Sequence, residues 1–151
     1  MSDDTSIHVG SCRCSQVQLK VRGKPLMTMA CHCAGCQKMT ASAFSLSALY
    51  PLDAVEVHGL QPVIGGMHGD LHHNFCPHCL SWIFTRGKMF GPMINVRVTM
   101  LDNAAELAPF IETCADEKLP WVTTPAVHSY NKFPPMEAFP QLLQEYASAG
   151  V

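Results

Sequence analysis

Seven cysteines of this 151-residue chain stand in three short groups: Cys12-Arg13-Cys14, Cys31-His32-Cys33-Ala34-Gly35-Cys36 and Cys76-Pro77-His78-Cys79. The eighth, Cys114, stands alone. Thiolates at these spacings suit metal ligation. Zinc holds sulfur at about 2.3 Å in a tetrahedron, so sulfurs sharing one ion lie roughly 3.8 Å apart. Residues i and i+2 on a strand point the same way, with Cα atoms roughly 6.6 Å apart, near enough for their side chains to lean together. A Cys-x-x-Cys turn converges two more sulfurs and offers them backbone N–H groups.

Seven ligands do not fill two four-cysteine sites. Cys31, Cys33 and Cys36 are compact enough to hold one ion, which leaves the pairs Cys12/Cys14 and Cys76/Cys79 to share another. Four thiolates close a site, and three leave a position for water or an incoming thiolate. The closed site would tie residues 12–14 to residues 76–79 as a long-range staple. Other readings of the same residues exist. Cys76 and Cys79 could be a redox pair, but a thioredoxin-type motif opens a helix after a βα unit, and this one sits between strand-like runs. His32, His78, His72 or His73 could complete the trio and make it purely structural. His72 and His73 are adjacent, so on a strand they face opposite ways and at most one can point at a given ion. His8, His58, His68 and His128 read as ordinary surface or core histidines, and Cys114 as a buried thiol or a neighbour of the open site.

The elements that must position these residues are short. Val17, Leu19 and Val21 alternate with polar residues, the mark of a half-buried strand. Further strands are expected at residues 44–50, 54–58, 71–75 and 82–85, and Ile94, Val96 and Val98 alternate again. From Leu101 onward, prolines at 109, 120, 125, 134, 135 and 140 argue against a long helix or a central strand. Residues 101–151 are expected to form a Pro-rich wrapping tail that ends in one short helix near 140–147, with Leu142, Leu143 and Tyr146 as its buried stripe. Residues 1–6 are expected to fray. The whole reads as a single domain over 1–151, mainly β, of short antiparallel strands.

Composition narrows the function classes. Hydrophobic residues make up 48% of the chain and charged ones 15%, which is globular rather than disordered. The formal charge of −2 argues against a broad nucleic-acid footprint. No apolar run approaches the roughly 18–20 residues needed to span a bilayer. The polar, acidic start lacks the chemistry of a secretory leader, which points to a reducing cytoplasm.

Gly10-Ser11-Cys12-Arg13-Cys14-Ser15-Gln16-Val17, Cys31 to Lys38 and Phe75-Cys76-Pro77-His78-Cys79 together resemble the glutathione-dependent formaldehyde-activating enzyme family, which also includes centromere protein V. The resemblance covers roughly residues 7–135, including the Pro120-Trp121 segment. It implies a β-tent fold with zinc knuckles and two zinc ions. Cys12, Cys14, Cys76 and Cys79 would take the structural zinc, and Cys31, Cys33 and Cys36 the catalytic one. It also implies a carbon–sulfur lyase that adds glutathione's thiol to formaldehyde, giving S-hydroxymethylglutathione. Two departures stand out: Ser15 and Leu80 occupy positions where the family usually has Gly. If the backbone there is left-handed, Gly suits it far better than Leu, so the second knuckle is expected to turn differently.

Three thiolates on a divalent ion sum to 2 − 3 = −1, which makes a weak Lewis acid but a good seat for thiolate exchange. Glutathione or another small thiol, with formaldehyde or a small aldehyde, is therefore preferred to a hydrolytic substrate. Lys38 or Arg86 could hold a peptide carboxylate. The alternative is a non-catalytic zinc module that binds a protein or nucleic-acid partner. That role would more naturally come with a basic extension, which this sequence lacks.

Overall fold

The computed structural model describes residues 4–67 and 69–149. Residues 1–3 of the expected frayed segment, His68, and the last two residues of the tail lie outside that range. Residues 4–6 are tied down: Asp4 accepts the Ser6 N–H, and the Ser6 carbonyl accepts the N–H of Gly23.

Two sheets carry the fold. In the smaller, β1 (Ile7–Ser11), β2 (Val17–Arg22) and β5 (Val55–Gly59) run antiparallel in the order β1-β2-β5. The alternation anticipated in β2 is complete: Val17, Leu19 and Val21 are buried and the residues between them exposed. The larger sheet is built from β3 (Met27–Cys31), β4 (Ser45–Pro51), β6 (Val63–Gly65), β7 (Leu71–Phe75), β8 (Trp82–Gly87), β9 (Met93–Arg97), β10 (Ile111–Thr113) and β11 (His128–Ser129). Its order is β11-β10-β3-β4-β9-β8-β7-β6.

Strands expected from sequence at 44–50, 54–58, 71–75 and 82–85 appear as β4, β5, β7 and β8. β9 ends at Arg97, where Val98 opens a 3-10 turn. The short helix expected at the C-terminus is α2 (Phe139–Ser148), with Pro140 in its first turn and Leu142 and Tyr146 buried. A second helix, α1 (Ala34–Thr40), was not expected. It has no apolar stripe to reveal it, and none of its residues is fully buried.

The tail departs from expectation in one respect. β10 lies within the sheet, parallel to β3 on one side and β11 on the other. It fits because the interval between Pro109 and Pro120 is free of proline, so its N–H groups can join the ladder. The larger sheet is thus mostly antiparallel, with a parallel border.

Val17, Leu19 and Val21 of the small sheet pack with Ala48, Tyr50, Ile83, Phe84, Ile94 and Val96 of the large one, forming the main core. A second cluster joins Met27, Phe110 and Ile111 to Leu142 and Tyr146, which seats α2 on β3. Tyr50 is fully buried, and its hydroxyl has no hydrogen-bond partner among the described residues. A buried polar group left unpaired costs about 1–3 kcal/mol. Tyr50→Phe is therefore expected to raise stability by about 1 kcal/mol, or roughly 3 °C in thermal midpoint for a chain of this size. A fall in the midpoint would mean that the hydroxyl is satisfied.

Candidate metal centre

The sulfurs of Cys12, Cys14, Cys76 and Cys79 all lie within 4.8 Å of one another, and those of Cys31, Cys33 and Cys36 form a second such cluster. The partition reached by counting ligands is the one the fold brings together.

Two hairpin loops build the quartet. Cys12 and Cys14 sit in the β1–β2 loop, and Cys76 and Cys79 in the β7–β8 loop. The loops share a hydrogen-bond pattern. Cys12 N–H donates to Val17 O and Cys76 N–H to Ser81 O, while Ser15 and Leu80 each donate back to the first cysteine's carbonyl. Backbone N–H groups also reach sulfur: Val17 to Cys12 at 3.3 Å, and His78 to Cys76 at 3.4 Å. Cys14 Sγ lies 3.6 Å from Cys12 Sγ and 3.7 Å from Cys76 Sγ. These are close to the separations a tetrahedral ion imposes, roughly 3.8 Å. Ser81 bridges the loops, accepting from Arg13 N–H and lying 3.2 Å from Cys79 Sγ. Its hydroxyl helps to hold the Cys79 thiol down at about 5. The second knuckle does not turn differently, as the departures had suggested. Ser15 and Leu80 both adopt the left-handed conformation, at φ 67° and 60°, despite their side chains.

The trio is assembled from a strand end and a helix start. Cys31 ends β3, Cys33 caps α1 by accepting the Cys36 N–H on its sulfur at 3.3 Å, and Cys36 lies in the first turn. All three are half-buried. A hydrogen bond from Cys36 brings the Cys31 thiol down to about 5 and pushes Cys36 up in turn. The donors are all sulfur, closely spaced and partly open, a set that fits a soft or borderline divalent ion.

Distant residues hold the segment in place. Gln37 Nε2 donates to the carbonyls of His32 and Glu117, and Glu117 accepts the N–H of Ala34. His32 is fully buried, and its Nε2 donates to Glu112 Oε1 at 2.9 Å, away from the sulfurs. Burial pushes the Glu112 carboxyl up, but hydrogen bonds from His32, Thr124 and Lys118 prevail and hold it at about 2.

No histidine among the described residues joins either cluster. His78 and His72 are exposed. His73, on the opposite face from His72, is buried with Nδ1 2.8 Å from the Thr85 hydroxyl. His8, His58 and His128 lie beside Asp102, Glu56 and Glu145. Cys114 is buried in left-handed backbone next to Cys31, and burial pushes its thiol up to about 12. Lys38 is exposed in the last turn of α1. Arg86 pairs across the strands with His72, on the other face of the sheet from His73. It lines a cavity of about 640 Å³ with Asp70, His72, Asn74 and Lys88, and a second cavity of about 650 Å³ lies over β1 and β2. Neither is lined by a cysteine, so the chemistry does not follow the cavities.

Sequence reasoning missed Glu112, Gln37, Ser81, Thr85 and Arg97. Arg97 and Asn95 alternate with Ile94 and Val96, a pattern that reads as a solvent-facing side, yet both are buried.

Fold and site together define a mainly β protein with two separate cysteine clusters that can each hold a metal ion. Residues 7–117 match the glutathione-dependent formaldehyde-activating enzyme family, and the chain belongs to it. The matched stretch stops short of the Pro120-Trp121 segment. A crystal structure of a Rhodobacter sphaeroides protein is similar, at 20% identity and a TM-score of 0.49, over 62% of this chain and 87% of that one. No match was found among curated proteins. No helix among the described residues is long and apolar enough to cross a membrane.

The knuckle geometry generates a test. Left-handed backbone costs an L-residue roughly 1–2 kcal/mol, and Gly gives back part of that gain through unfolded-state entropy. Leu80 is 66% exposed, so its side chain contributes little packing. Leu80→Gly is expected to raise the thermal midpoint by about 2 °C, read by differential scanning calorimetry. Glu112 generates another. Its folded value lies below the unfolded one, so its contribution is present above pH of about 4.5 and is lost as pH falls from there toward 2. In acid titrations followed by circular dichroism, the stability gap between wild type and Glu112→Gln should close across that window.

Proposed function

We propose that the chain is a zinc-dependent carbon–sulfur lyase of the glutathione-dependent formaldehyde-activating type, carrying two zinc ions within a single cytoplasmic domain. In this reading Cys12, Cys14, Cys76 and Cys79 hold the structural zinc, and Cys31, Cys33 and Cys36 the catalytic one. One observation carries the reading: the trio is a half-buried cluster of three sulfurs that no imidazole among the described residues joins.

When bound, the ion would stabilise a substrate thiolate and polarise an aldehyde oxygen. The chain's own residues do the rest. Gln37, His32 and Glu117 fix the backbone of residues 31–37, so three sulfurs converge on one point before any ligand arrives. Lys38, exposed on the next turn of α1, offers a cation to a carboxylate of the incoming thiol. The reaction forms a sulfur–carbon bond between thiol and formaldehyde. The carbonyl π electrons move to oxygen, and the thiol proton ends on that oxygen as the hydroxymethyl group. Glutathione fits because it supplies the thiol together with two carboxylates.

Isothermal titration of the zinc-loaded protein with glutathione, alone and with formaldehyde, tests this. Binding in the millimolar range or tighter is expected, with adduct formation visible by NMR. Cys33→Ser should abolish both and leave the fold intact, because the quartet is untouched. Absence of thiol binding at millimolar glutathione would sink the enzyme reading.

A further inference from the structure

One face of the large sheet is buried, polar and positively charged. Residues paired across antiparallel strands share a face, as do residues two apart along one strand. Cys31 on β3 pairs with Ser45 on β4, and Ser47, two residues on, pairs with Arg97 on β9. Asn95 on β9 pairs with Thr85 on β8, and Thr85 with His73 on β7. From the trio outward, Cys31, Ser45, Ser47, Arg97, Asn95, Thr85 and His73 therefore lie on one surface. All but Cys31 are buried, whereas the opposite surface carries Ala48, Tyr50, Ile94, Val96 and Phe84 of the main core. Gly66 lets α1 close over this surface. A Cβ there would stand 2.7 Å from Met39 Sδ and 2.9 Å from His73 Cδ2.

Arg97 is the anomaly on that surface. It is 7% exposed, and no carboxylate among the described residues pairs with it. Its Nε is buried without a hydrogen-bond partner among the described residues. Its guanidinium lies 3.8 Å above the centre of the Trp82 ring, and its Nη2 donates to Thr85 Oγ1 at 3.1 Å. Thr85 is saturated. Trp82 Nε1–H also donates to its oxygen, at 3.1 Å, so the hydroxyl's single proton is left for His73 Nδ1. The guanidinium is held by groups that give it position but no negative charge. A buried cation without an anion is costly, and chains keep one only where a counter-charge belongs nearby. In register, Arg97 stands beyond Ser47 and Ser45 on the same surface as Cys31, so the trio is the anion-forming cluster on its side of the sheet.

We propose that Arg97 is the counter-charge of the trio: a positioning residue, held by Trp82 and Thr85, that offsets the excess negative charge of three thiolates on a divalent ion. The proposal rests on the trio being a metal site. With the ion and three thiolates summing to −1, the buried guanidinium brings the local balance to zero. It therefore offsets the residual charge of the filled site without touching the ion.

Stepwise chelator competition on the two-zinc protein, with the zinc released counted by a colorimetric chelator, tests this. The quartet ion serves as internal control. Arg97→Gln is expected to weaken retention of the more exchangeable ion on the order of tenfold and to leave the other unchanged. Arg97→Lys, which keeps the charge but loses the planar stack, should stay within about threefold of wild type. Unchanged retention in Arg97→Gln would overturn the proposal. So would an equal loss in Arg97→Lys, because packing rather than charge would then be responsible. If Arg97→Gln does not fold, the near-isosteric Thr85→Val carries the test, and it must weaken the same ion measurably for the proposal to stand. A wild-type protein that binds only one ion per chain would overturn the trio reading and this proposal together. Two ions with unchanged retention would overturn this one alone.

Discussion

Four sulfurs converge where two hairpin loops meet, and the rest of the molecule is arranged around that convergence. One loop belongs to the three-stranded sheet and the other to the eight-stranded sheet, with 62 residues separating Cys14 from Cys76. The apolar faces of the two sheets already pack, through Val17, Leu19 and Val21 against Ala48, Ile83 and Val96. Hydrophobic contact is non-directional and tolerates sliding. Sulfurs sharing one ion would not slide, so a filled quartet would turn a general attraction between sheets into one alignment. Ser15 and Leu80 beside it both take left-handed turns, although neither residue type favours them.

The trio follows the opposite design. Its residues are consecutive or nearly so, and no second cysteine group crosses over to seal it. Rigidity comes from amide and carboxylate groups outside the sulfur cluster: Gln37 spanning two carbonyls, Glu117 receiving the start of α1, and Glu112 fixing the ring of His32. The two clusters thus differ in construction: one joins loops of two sheets, and the other is drawn from one short segment whose backbone is held by distant residues.

The sulfur clusters were legible in the sequence because ligand spacing is local, and counting seven ligands forced the uneven split. Strands with clean alternation, such as β2, and the Pro140-led α2 were legible for the same reason. β3 was not, because Thr28 and Ala30 are buried on one face and Met27 on the other, which blurs the period. β10 hid among prolines, and α1 carries no apolar stripe. The buried polar surface was the hardest to see. An alternating strand such as β9 does not reveal whether its polar side meets water or another layer of protein, and here it meets protein.

The parallel ladder between β3 and β10 sets an order of events during synthesis. Thr113 lies alongside Cys31, and Glu112 reaches His32 from 80 positions further along the chain. A ribosome must therefore extend the polypeptide well past both hairpin loops before the carboxylate that steadies the trio exists. Long-range closures of this kind form late, after local hairpins. All seven clustered cysteines therefore leave the ribosome before the carboxylate that braces the trio.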